Sequence, residues 1–330
     1  MRFAPTTDQL ALAAAVRELL ADACPPEVLR AAWTSSAPRG LWTRLAALGL
    51  LDASGLGLDE VDLVGVFVEV GRAAVPLPVA ETVAVLVPLL AEVEHPAVAA
   101  LASGELIGTA QLSGGSILPW GLCSDVALVR GRLIDLTEVA LEPVTTIDGS
   151  RFTASTPAGG FVVTEDPAVL ERAWLRGALA AAAQLVGLAH RQLDLTVAYV
   201  RERRQFGVPV GSQQAVKHPL ANALVELRFT LPVVQRAAVS LAVGSPDARA
   251  HVAAAKAMAS RMAGQVARAA IQAHGAIGYT VEYDLHLYVK RSWALAASWG
   301  SEAHHRAVVG ESLGLPPAVD PSSPPWEAVQ

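Results

Sequence analysis

The sequence predicts a mainly α fold with a small β insert. It divides into an N-terminal helical domain (residues 1–103), a short β-rich middle domain (104–165), a C-terminal four-helix bundle (166–315) and a proline-rich tail (316–330). Three observations carry this. Hydrophobic residues make up 52% of the chain and aromatics only 5%, with alanine, leucine and valine dominant, a composition that favours packed helices over a β-sandwich. The pattern changes near Ser103-Gly104 from helical spacing to short β-type runs separated by turn residues. From Pro167 onward, long stretches with apolar residues every three or four positions return.

In the first region Thr7 is a candidate N-cap, followed by Leu12, Val16, Leu19 and Leu20 at helical spacing until Pro25-Pro26. Trp42, Leu45, Leu48 and Leu51 form a second helical stripe, Gly55-Leu56-Gly57 a loop, and Val61 to Arg72 a further helix. Pro76 and Pro78 break that helix and Glu81 to Leu90 restarts it. In the insert, Val126–Val129, Val144–Ile147 and Phe161–Thr164 read as strands. Their turns are Gly114-Gly115, Asp148-Gly149 and Gly159-Gly160. Four long helices follow: Leu170 to Arg201, Gln214 to Val243, Asp247 to His274, and Asp284 to Leu313.

Bulk properties exclude several functions. The 330 residues suffice for one large unit or two to three small domains sharing a core. A net charge of −6 gives no electrostatic reason to seek nucleic acid or an anionic membrane. Leu77–Val93 is interrupted by Glu81 and Pro88, and Ala178–Ala189 is too short to span a bilayer. With no apolar signal-type core near Met1, a cytoplasmic chain is expected. Cys24 and Cys123 lie outside any metal-ligand or disulfide spacing and read as small buried hydrophobes. His304 and His305 are adjacent on a helix, about 100° apart, and cannot readily share one metal ion.

Two segments carry chemistry. In Tyr199-Val-Arg-Glu-Arg203-Arg204-Gln205-Phe206-Gly207-Val-Pro209, running on to Gln213-Gln214 and His218, a long helix ends in a basic cluster and the chain turns. Arginine beside a helix start suits an anion, since guanidinium and free backbone N–H groups both bind phosphate, and Phe206 offers an apolar face to a heterocycle. A solvated basic turn with a structural phenylalanine is the other reading. In Gln272-Ala-His274-Gly275-Ala276-Ile277-Gly278-Tyr279-Thr280-Val281-Glu282, a helix stops at Gly275. That is either an ordinary glycine cap or a place where a ligand approaches closely.

Together, and in this order, the two segments resemble the paired motifs of the acyl-CoA dehydrogenase family. Leu41-Trp42 to Gly49-Leu50 and Gly71-Arg72-Ala-Ala-Val-Pro76-Leu-Pro78 resemble its N-terminal helical domain. The resemblance spans nearly the whole chain. It implies the family's three-part fold and FAD as cofactor, with Arg203, Gln205, Phe206, Gln214, Gln272, His274, Gly275 and Ala276 as cofactor contacts to a neighbouring subunit. Ala276 stands where the family usually has glycine.

The same resemblance implies a missing base. The family removes two hydrogens from an acyl-CoA thioester, using a glutamate to take the α-proton. Its usual position falls at Trp299, and its alternative position at Gly177. Glu171 and Glu302 lie near in sequence but a helical turn or more away. The loop around Leu112–Gly121 is shorter than the family's flavin-covering loop, with Trp120 either a wall for the flavin or a packed turn residue. The chain is thus similar to the reduced, non-catalytic subunits of heteromeric acyl-CoA dehydrogenases. This implies a catalytic partner chain (an α2β2 assembly), an acyl-CoA substrate and shared FAD. A self-sufficient enzyme with a displaced base and a non-enzymatic scaffold are the alternatives.

Overall fold

A computed structural model describes residues 4–316; the rest of the proline-rich tail lies outside the described residues. The first part is a set of helices: α1 (Thr7–Ala23), α2 (Pro26–Ala32), α3 (Arg39–Ala47), α4 (Glu60–Arg72), α5 (Val87–Glu92) and α6 (Ala97–Ala102). The cap of α1 is Thr6, one residue before the expected Thr7: its hydroxyl accepts from Gln9 N–H, and the Gln9 side chain answers on Thr6 N–H. The Trp42 stripe buries Trp42, Leu45 and Leu51, while Leu48 is left at the surface where α3 ends. Glu81–Leu86 is helical as expected, but it is wound as a π-turn leading into α5.

Strands β1 (Gly108–Gln111), β3 (Val126–Val129), β4 (Arg132–Asp135) and β6 (Phe161–Val162) form one sheet in the order β1-β3-β4-β6. β2 (Ile117–Leu118) pairs with β5 (Ala154–Ser155). β1 runs parallel to β3, and the other pairings are antiparallel. Val144–Ile147 is not a strand. Only Pro143 bridges to Ala154, and Val144 exchanges hydrogen bonds with Thr153 before the chain turns into the Asp148 loop. Its β-branched residues satisfied the propensity, but no neighbouring strand continues far enough to pair with it.

The bundle is built from α7 (Pro167–Glu202), α8 (Gln214–Ala242), α9 (Ala248–His274), α10 (Leu285–Ala297) and α11 (Glu302–Ser312). α7 starts on the Asp166 carboxylate, which accepts from Ala168 N–H, with Pro167 at the first helical position. A short hairpin, β7 (Arg204–Gln205) and β8 (Val208–Pro209), links α7 to α8. α9 packs against α7, α8, α10 and α11. The single last helix expected from Asp284 to Leu313 is two helices, broken at Ser298-Trp299-Gly300, where Trp299 and Gly300 take positive φ (55° and 90°).

The N-terminal helices dock on the bundle through α4 and α7, and glycine decides how closely. A Cβ on Gly187 would stand 1.8 Å from Val68 O, and one on Gly71 would stand 2.1 Å from Gln184 O. The two backbones therefore touch, which only glycine permits.

Candidate functional site

The first motif emerges where α7 stops. Phe206 and Gly207, at φ 51° and 82°, form the two-residue turn of the β7–β8 hairpin; positive φ at both central residues matches the twist of the strands. Glycine adopts this freely, whereas phenylalanine does not, so strain holds an aromatic ring at the tip. That ring is 97% exposed. Arg204 steadies the turn by donating to Gly207 O (3.4 Å). Arg203, Gln205 and Gln214 are exposed, and their side chains make no hydrogen bond within the described chain. The start of α8 thus carries a cluster of outward-pointing donors beside an uncovered ring.

The second motif lies at the same end of the bundle. Tyr199, one turn before the hairpin, stacks on His274 (centroids 4.4 Å apart, planes 18°), and His274 contacts Tyr283 at 4.9 Å. His274 is buried; its Nδ1–H donates to Ala270 O (2.8 Å), and burial holds the ring below the usual histidine range, hence neutral. Its ring anchors the segment from within, while Gly275 and Ala276 carry the surface. Gly275 ends α9 at φ 63°; Ala276 is not among the residues at positive φ, so its methyl is tolerated where the family has glycine. Gln272 faces a groove of 950 Å³ between α8 and α9, together with Gln265, Arg268, Tyr279 and Trp293. Leu224, Val225 and Phe229 are exposed along α8.

At the other end of the bundle the two expected base positions meet. A Cβ on Gly177 would lie 2.5 Å from the Trp299 ring, so the indole rests directly on the Gly177 backbone. Trp299 thereby excludes any side chain at position 177. Lys256 and His305 hold the loop that carries Trp299 through its carbonyls. Lys256 Nζ donates to Ala296 O, Gly300 O and Ser260 Oγ, each at 3.1 Å, and His305 Nε2 lies 2.7 Å from Trp299 O. Glu171 is exposed and Glu302 half-buried, and they pair with Arg249 (3.6 Å) and Arg306 (3.5 Å).

Lys256 has no carboxylate within 4.0 Å among the described residues, and burial pushes its ammonium down to about 7. Unfolding restores a value near 10.5. Between these values the unfolded chain binds the extra proton, so stability rises with pH across this window and the burial cost is full below it. Substituting Lys256→Met is expected to flatten the rise between pH 7 and 10 in urea titrations; an unchanged slope would assign the effect elsewhere. His305, lowered to about 4 mainly by burial, adds a rise of the same sign between pH 4 and 6.5.

Beside Trp299 a cleft of 570 Å³ opens between the β1–β2 loop and α10, lined by Gln111, Ser113, Ser116, Arg151, Thr153 and Ser298. Trp293 and Trp299 border it as well, and Trp120 was the candidate to wall a flavin ring. Trp120 does not supply that wall, because the indole is buried with the guanidinium carbons of Arg291 and Arg151 at 5.0 and 5.4 Å from its ring. These arginines belong to a buried charge cluster that sequence reading missed. Arg291 binds Asp148 through Nε, Ala74 O and Val75 O through Nη1 (3.2 and 2.8 Å) and Ser150 Oγ through Nη2 (2.8 Å). Arg151 donates to Ser298 Oγ (2.9 Å) and faces Glu81 at 3.9 Å. The cluster ties N-terminal helices, insert and bundle together at one point. For Lys256 a signal was available, a lone cation within the apolar run Val-Ala-Ala-Ala-Lys-Ala-Met-Ala; Arg291 directly follows Lys290 and gave none.

The chain's residues therefore fit one half of FAD. The exposed hairpin and helix start suit a phosphate-bearing, heterocycle-ended segment reaching in from another chain, whereas Trp120, the candidate wall for the ring, is buried away from the cleft. Both cysteines are buried, with burial raising each thiol to about 12, so neither is reactive. No described group of histidine, cysteine or carboxylates can hold a metal ion, and no described helix is long and apolar enough to cross a membrane.

This arrangement of helices, small sheet and bundle, with both motifs at one bundle end, defines the class: the chain belongs to the acyl-CoA dehydrogenase family. The family profile "Acyl-CoA dehydrogenase, C-terminal domain" matches residues 168–314. Among curated proteins the chain is similar to the acyl-CoA dehydrogenase IpdE2 of Mycobacterium tuberculosis H37Rv, at 33% identity over 301 residues, covering 87% of this chain and 92% of that one. Its fold is similar to a chain of the ChsE4–ChsE5 complex from Mycobacterium tuberculosis (TM-score 0.85, 22% identity, 96% and 100% covered). It is also similar to a chain of the Tcur3481–Tcur3483 steroid ACAD (TM-score 0.82, 24% identity, 93% and 97% covered).

Proposed function

We propose that this chain is the non-catalytic subunit of a heteromeric, FAD-dependent acyl-CoA dehydrogenase. In this reading a partner chain of the same family carries the catalytic glutamate and the flavin-ring site, in an assembly of two copies of each. Bound FAD would accept the hydride leaving the thioester's β-carbon. This chain's part is to grip the phosphate-bearing half of that cofactor through Arg203, Gln205 and Gln214, with Phe206 against the heterocycle and Gln272, Gly275 and Ala276 closing from the second motif behind the His274 anchor.

The observation that carries the proposal is the Trp299–Gly177 contact. Both positions where the family places its base are filled by one indole lying on one glycine, and the nearby Glu171 and Glu302 are paired with arginines. A general base must come within hydrogen-bond reach of the proton it takes. The exposed apolar residues along α8, with the groove beside them, support a protein partner there. The two-protein complex and the steroid ACAD among its fold neighbours support a heteromer acting on a steroid-derived acyl-CoA thioester.

In the assembled complex, Glu302→Gln and Glu171→Gln are expected to leave dye-linked turnover within about twofold of the parent, since each removes only a surface ion pair. A fall of a hundredfold or more in either variant would restore the displaced-base alternative.

A further inference from the structure

On the far face of α7, a second pocket has no part in the site above. Arg191 lies about 21 Å along the helix from Gly177 at 1.5 Å per residue. The pocket, of 280 Å³, is bounded by the end of α1, the Pro25-Pro26 turn, the end of α4, α7 and the start of α10. Three arginines reach it, Arg17, Arg72 and Arg191, against a single lining carboxylate, that of Glu69.

The hydrogen bonding leaves most of their donors unused. Arg17 gives one bond to Glu69 (2.6 Å), and Arg72 gives one to Asp194 at the rim (2.6 Å). Arg191 has no carboxylate within 4.0 Å among the described residues; its guanidinium hydrogen-bonds the Tyr288 side chain and lies 5.4 Å from the centroid of that buried ring. Each guanidinium carries five N–H donors in a planar fork that matches the oxygens of a carboxylate or phosphate. The local field agrees, because His190 beside the pocket is held below its usual range first by burial and next by Arg72. Between the arginines the wall is apolar: Leu20, Ala21, Cys24, Pro25 and Ala73. Water would satisfy the charges but would gain nothing from that wall, whereas an anion with a short hydrocarbon stem satisfies both.

We propose that this pocket binds a small organic anion, a carboxylate or phosphate monoester with a short apolar stem, whose oxygens bridge Arg191 to Arg17 or Arg72. The ligand chemistry is shared by free acids and phosphate esters, and separate probes distinguish them. The test is isothermal titration of the purified protein, as isolated, with glutarate, with phenyl phosphate and with inorganic phosphate, at fixed ionic strength with chloride as the background anion.

Saturable one-site binding is expected for at least one of the two organic probes, tighter than for inorganic phosphate. Arg191→Gln is expected to weaken it about tenfold or more, as loss of a charge-assisted hydrogen bond does. Arg249→Gln, which alters a pair elsewhere, leaves it unchanged. If Arg191→Gln lowers the melting temperature, Arg72→Gln, whose ion-pair partner Asp194 is exposed, is used in its place. No saturable heat from any probe at millimolar concentration, equal binding by the arginine variants, or inorganic phosphate binding as tightly as the organic probes would overturn the proposal.

Discussion

Substituting Arg203→Ala in the assembled complex is expected to weaken FAD retention about tenfold to a hundredfold, the range for losing a hydrogen bond to a charged group. The basis is geometric. The side chain is exposed where α7 stops, makes no bond within the described chain, and stands beside a strained turn that presents Phe206 to solvent. A structural arginine would have a partner, and a structural phenylalanine would be covered. The variant should fold normally, because nothing internal is lost. Flavin content per complex after gel filtration, at matched protein concentration, is the readout. Arg203→Lys should recover only part of the loss, since an ammonium supplies charge without the planar fork. Full retention by Arg203→Ala would remove the hairpin from the cofactor site.

The second large effect is on stability. Gly187→Ala is expected to cost about 3 kcal/mol or more, at or beyond the upper end for overpacking, because its methyl would enter the space of Val68 O and force α4 away from α7. Gly264→Ala is the internal control. That glycine also lies inside a bundle helix, but its Cβ would meet only the Arg268 guanidinium at an ordinary 3.6 Å. There the change should stabilise by about 0.5–1 kcal/mol through helix propensity. Urea denaturation of the two variants against the parent separates crowding from propensity. Equal shifts in both would mean that the α4–α7 crossing is not held at backbone contact.

Much of the architecture was legible because apolar spacing and turn residues are local signals. Thr6 or Thr7 starting α1, Asp166-Pro167 before α7 and Gly275 ending α9 are punctuation that local chemistry imposes. What was not legible depends on partners distant in sequence. Val144–Ile147 has strand-like residues but no strand to pair with, and only the arrangement of β2 and β5 decides that. The break at Trp299-Gly300 is enforced by Lys256 and His305, which approach from α9 and α11. The site divides similarly. Paired motifs could nominate Arg203, Gln205, Phe206 and Gln214, but not that Phe206 stands free or that His274 is an inward anchor between two tyrosines. The sequence placed Trp299 and Gly177 at the two base positions separately; their mutual contact needed the fold.

That contact also explains why the two losses belong together. With Trp299 in place, any side chain at position 177 meets the indole; with a side chain at 177, the indole cannot lie flat on α7. Regaining a base at position 177 would therefore require Trp299 to change as well.

The visible absorption spectrum tests the central claim most directly, recorded on this chain purified alone and on the chain co-expressed with catalytic acyl-CoA dehydrogenase chains from the same source. The proposal predicts no flavin bands from the chain alone and a full flavin spectrum from the co-eluting complex. A strong flavin spectrum from this chain by itself would contradict it, because the chain would then be holding the ring without a partner.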